Sequence, residues 1–158
     1  GCEVLERGPA FLRILEDAGP PNLARFTDYS LQFVHGGGHS IGTTTQRIVA
    51  AGPVWFGQSP ASESKPCRGP AAGERYLLTT LSGCVEFELC DKNREGTGLT
   101  RTIRPGDVVL AEDSLGPAHR WKMVPCVGAL RPEPWTRMYI NLTEQMAYEQ
   151  YLHNILKP

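Results

Sequence analysis

No basic run and no block of single-sign charge interrupts this chain, whose 16 Lys and Arg and 17 Asp and Glu leave a formal net charge of -1. That balance argues against nucleic acid or a membrane surface as partner. No stretch approaches the length of a transmembrane helix. The N-terminus lacks the basic-then-apolar pattern of a signal sequence. The expectation is a cytoplasmic protein, and Gly1 without a preceding Met is expected of a processed chain. The cysteines are Cys2, Cys67, Cys84, Cys90 and Cys126. Their number is odd and no pair has C-x2-C spacing, so neither a zinc site nor a redox motif is indicated. All five are expected as free thiols in a reducing compartment.

What is present is a series of short β runs. Tyr76–Leu81 and Cys84–Leu89 flank Ser82-Gly83, where glycine supplies the turn. The second run alternates strictly, with Val85, Phe87 and Leu89 on one face and Glu86 and Glu88 on the other, as in a half-buried strand. Cys84 and Cys90 share the glutamate side. Leu99–Arg104 is the next strand, after the polar loop 91–98. Val108–Ala111 is an apolar run suited to burial. In 119–123, Arg120 and Lys122 face solvent and His119, Trp121 and Met123 face inward. Trp135–Leu142 has a polar-aromatic face (Trp135, Arg137, Tyr139, Asn141) and an aliphatic one, and either is suited to face inward. Strands at this spacing predict an all-β sandwich or barrel, and the length is that of one domain with its own core.

The remaining segments are read more coarsely. Residues 9–18 suit either a short helix or a strand, ended by Gly19-Pro20-Pro21. Residues 43–58 form a β segment interrupted at Gly52-Pro53; one of Trp55 and Phe56 enters the barrel. Residues 59–74, rich in Pro and Gly, are a loop. Residues 143–156 predict a helix, with Thr143 as N-cap and an apolar stripe from Met146 to Leu156. The sequon Asn141-Leu142-Thr143 falls in a strand and carries little weight. His35-Gly36-Gly37-Gly38-His39-Ser40-Ile41-Gly42 contains a G-x-S-x-G match beside a lipase-like oxyanion sequence. The nucleophile elbow needs a strand before it and a helix after it, and here a β-type run follows. No Gly-Lys-Ser/Thr follows the glycines, so a phosphate loop is excluded too. The segment is expected as a glycine loop, with His39 placed to cover a pocket mouth.

The stretch 76–119 resembles the cupin superfamily, small β-barrel proteins with two motifs. Gly83 matches the closing glycine of the first. Gly106 and the run Gly116-Pro117-Ala118-His119 match parts of the second. The resemblance implies a jelly-roll barrel over 43–142, preceded by an arm and glycine loop over 1–42 and followed by the helix. It also implies a homodimer, and an arm packed over a partner or along the barrel edge. At the four usual ligand positions only His119 remains. Tyr76 stands where the glutamate is expected, and Pro, Gly or Ala where two histidines are.

His119, Tyr76 and Glu112 are therefore the expected acid-base groups of a metal-independent enzyme. A neutral imidazole exchanges protons near neutral pH, a phenol donates to a developing enolate, and a buried carboxyl serves as a second acid. Trp55, Trp121, Met123, Arg137, Tyr139 and His39 are the expected binding residues. Such a set suits isomerisation, dehydration or cyclisation of a small, cyclic, apolar molecule, and the cupin resemblance implies one of the kind found in secondary metabolism. The alternatives are a metal-dependent oxygenase, with His119 joined by His35 or His39 on one divalent metal, and a barrel that binds a ligand without changing it.

Overall fold

The computed structural model describes residues 10–16, 23–28, 30–31, 34–35, 44–45, 53–67, 76–111, 119–142 and 156–157. All regular structure among them is β. In chain order the strands are β1 (Phe11–Glu16), β2 (Ala24–Asp28), β3 (Ser30–Leu31), β4 (Val34–His35), β5 (Thr44–Thr45), β6 (Val54–Ser59) and β7 (Ser64–Lys65). They continue with β8 (Tyr76–Ser82), β9 (Cys84–Cys90), β10 (Gly96–Ile103), β11 (Val108–Ala111), β12 (His119–Val124), β13 (Trp135–Asn141) and β14 (Leu156–Lys157).

Two sheets carry the fold. One has the order β2-β1-β11-β8-β13-β6, the other β10-β9-β12-β7. From β6 to β13 the strands alternate between the sheets except at the β9–β10 hairpin, which gives the orders 6-13-8-11 and 7-12-9-10. That is the double-sheet jelly roll, the architecture of the cupins. Its corner is Gly83, at φ +80°, where a Cβ would collide with the Pro134 carbonyl. No other residue type joins β8 to β9 so tightly.

The inner faces follow the alternation of the sequence. Leu78, Val85, Phe87, Leu89, Ile103, Val109, Met123 and Trp135 form the core, joined by Leu12 and Ile14 of β1. The ambiguous segment at 9–18 is therefore a strand, not a helix, over Phe11–Glu16. It runs parallel to β11, with Leu12 opposite Val109, and extends the barrel edge. Asp107 fastens it. This buried carboxylate accepts from the Ala10 and Arg104 amides at 2.8 and 2.9 Å.

Four readings change. Residues 59–74 are not all loop: Ser64–Lys65 pairs with Trp121 and Lys122 as the edge of the smaller sheet. Leu156 is not the end of a helix but pairs with Leu31 in a two-stranded ladder; residues 143–155 lie outside the described residues. Residues 96–98, expected at the end of the polar loop, open β10, with an irregularity in its register between Gly96 and Thr100. The largest change concerns the thiols. Cys67 is bonded to Cys90 and Cys84 to Cys126, with Cα atoms 5.9 and 5.3 Å apart. Cys84 and Cys90 sit on the outer face beside Glu86 and Glu88 yet are 1% exposed. Each is covered by the segment bonded to it. Cys2 lies outside the described residues.

Candidate functional site

Across the six-stranded sheet the inner face changes character. Register places Trp55, Tyr139, Leu78, Val109 and Leu12 in one row. Toward β1 the row is aliphatic and belongs to the core. Toward β6 it is aromatic. The open orientation of β13 resolves here, for Trp135 and Arg137 are buried, and the polar-aromatic face points inward. Trp55, not Phe56, takes the inner face of β6, stacking on Tyr139 at 5.1 Å, while Phe56 is 69% exposed. Tyr76 meets Tyr139 edge-on at 5.4 Å.

Arg137 lies at the centre of this region. Its guanidinium is 4.1 Å from the Trp135 ring centroid, 5.5 Å from that of Tyr139 and 5.7 Å from that of Trp121. Such contacts return part of the hydration lost on burial. Nε donates to the Tyr139 hydroxyl at 2.8 Å, and Nη1 donates to Ser59 Oγ at 2.7 Å and to the Trp135 carbonyl at 3.1 Å. Gly57, opposite Arg137 in β6, keeps the surface low. A Cβ there would lie 3.1 Å from the Tyr139 ring and 3.3 Å from Arg137 Nε. Behind the cation, Trp135 Nε1 donates to Thr80 Oγ1 at 3.0 Å and so holds the stacking ring in place.

The smaller sheet supplies the opposite wall. His119 is 6% exposed, with its ring edge-on to Phe87 at 5.1 Å. Phe87 meets Trp135, and Trp135 meets Trp121. A continuous path of ring contacts thus connects His119 with Arg137, Tyr139 and Tyr76. Both His119 and the start of β8 lie at the end of their strands away from the Gly83 corner. Met123, at the other end of β12, packs in the core with Val85 and Ile103. Glu112, His39 and the rest of the glycine loop at 36–42 lie outside the described residues, while His35 pairs with Thr44 in the β4–β5 ladder.

An imidazole and a phenol at the motif positions do not make a metal-binding set. Among the described residues no three His, Cys, Asp or Glu side chains come together. The residues that sequence reasoning passed over are Ser59, Thr80 and Trp135, which position Arg137. Trp135 shares the polar-aromatic face with Arg137, which is a usable signal. Ser59 is signalled only by its period-two relation to Trp55 and Gly57.

No family model matches the chain, and no curated protein matches it. The Schizosaccharomyces pombe Cnp3 cupin domain is a solved structure similar to it, with a TM-score of 0.39 and 11% identity over 90% of this chain and 93% of that one. A likeness of that size says nothing of what either molecule binds.

Proposed function

We propose that the aromatic half of this jelly roll binds a small cyclic organic molecule, on which His119 and Tyr76 act by proton transfer without a metal. The observation that carries the binding is the convergence of Trp55, Trp121, Arg137 and Tyr139 on one inner region. Pockets of this kind pair apolar walls with a few placed polar groups. Isomerisation, dehydration and cyclisation are the reactions such a pair serves, because each moves a proton beside a carbonyl or an alkene. Tyr76 in place of a carboxylate ligand favours the metal-free reading over an oxygenase. The paired cysteines favour an oxidising compartment over the cytoplasm expected of free thiols.

The test is a turnover screen on cyclic ketones and polyenes, with His119→Ala and Tyr76→Phe beside the wild type and metal measured before and after chelation. Both variants should bind as the parent does and lose turnover about a hundredfold or more. Unchanged turnover in both contradicts the acid-base roles. Binding without turnover in the wild type supports a binding module instead, and activity lost with a stoichiometric metal supports the oxygenase.

A further inference from the structure

We infer that the ligand of this site carries a carboxylate on or near its ring, and that Arg137 and Tyr139 read it. The inference rests on the binding reading above and narrows its substrate class. It begins from a disparity among the cations. Arg101, Arg120 and Lys122 reach carboxylates at 2.7, 2.7 and 3.8 Å, and all three have side chains at least 43% exposed. Arg137, 8% exposed, has no carboxylate among the described residues. The rings around it offset lost hydration but carry no counter-charge.

Its hydrogen bonds leave a defined remainder. Nε and Nη1 are used, and the donors on Nη2 have no acceptor among the described residues. Tyr139 Oη accepts from Arg137 Nε, so its own proton is left to donate. A guanidinium edge and a phenol O–H form two donors, one of them charged, on adjacent groups. A planar carboxylate matches that pair, because its two oxygens accept both bonds and its charge completes the ion pair. Trp55 and Tyr76, both packed on Tyr139, supply the surface for the attached ring. Ser59, Trp135 and Gly57 fix the cation in advance, and such preorganisation lowers the cost of binding.

The test uses 2-naphthoate and 2-naphthamide, which share a ring and differ in charge, titrated calorimetrically near neutral pH into wild type, Arg137→Gln, Tyr139→Phe and Trp55→Ala. Wild type should prefer the acid by about ten- to a hundredfold. Arg137→Gln should bring the two ligands to within about twofold by weakening the acid alone. Tyr139→Phe should reduce the preference by a smaller factor, and it carries the test should the arginine variant fail to fold. Equal affinities in the wild type, with Trp55→Ala weakening both ligands, overturn the carboxylate while the ring site stands. An unchanged preference in both variants also overturns it. Failure of both probes to bind overturns the site itself.

Discussion

Two charge-bearing faces of the described structure are organised in opposite ways. On the outer face of the smaller sheet, Arg120 lies opposite Glu88 and Lys122 opposite Glu86, in successive cross-strand pairs. They line a cleft of about 340 Å³ beside β7, together with Ser64, Lys65, Pro66 and Trp121. On the inner face of the larger sheet a single cation is held by three rings, two hydroxyls and a carbonyl, with no acid beside it among the described residues. Exposed ion pairs contribute little to stability. A buried cation costs far more to desolvate. Glu86 and Glu88 thus meet their cations where an ion pair adds little to the fold. The outer face pairs its own charges, and on the proposed reading the inner cation is left for a ligand.

Breaking the outer face should cost the fold and spare the site. Replacing Cys84 and Cys126 together by Ala removes a link between positions 42 residues apart. Loop closure puts its contribution at about 4 kcal/mol, which lowers Tm by roughly 10 °C for a chain of this size. Thermal unfolding with and without reductant measures it. The acid-over-amide preference should survive the substitution.

A smaller effect sharpens the same contrast. The Arg120 guanidinium, then the Gly98 amide, hold the Glu88 carboxyl below its ordinary value of 4.5. A depressed folded value means that the stabilisation is present above the unfolded value and is lost as pH falls through the folded one. Arg120→Met should therefore cost up to about 1 kcal/mol at neutral pH and converge on wild type in strong acid. Urea unfolding at a series of pH values tests this; a constant difference down to the lowest pH contradicts it.

The fold was legible wherever a strand met water on one side only. In β9 and β12 alternation alone assigns every side chain, and β8 and β11 show as apolar runs. It was illegible where two solutions share a pattern. Residues 11–16 bury Phe11, Leu12 and Ile14; the spacing of 12 and 14 fits a strand, that of 11 and 14 a helical turn, and pairing with β11 decides between them. Likewise β13 has two presentable faces, and only the opposing Trp121 and Ser59 choose one. Disulfides leave little trace in spacing. The available signal was Cys84 and Cys90 on a polar face, where a buried sulfur needs a covering segment. Of the expected binding residues, Trp55, Trp121, Arg137 and Tyr139 converge in the structure. The supporting residues Ser59 and Thr80 were not legible, because a hydroxyl that positions a cation looks like any other strand serine or threonine.

The central claim is that Arg137 serves a ligand and not the fold, and the direct measurement is the unfolding free energy of Arg137→Met in urea. A flexible apolar side chain fills the same space without a charge to bury. The account predicts a variant within about 1 kcal/mol of wild type, or more stable. A loss of about 3 kcal/mol or more would make the cation a structural clamp between β6 and β13 and would contradict it.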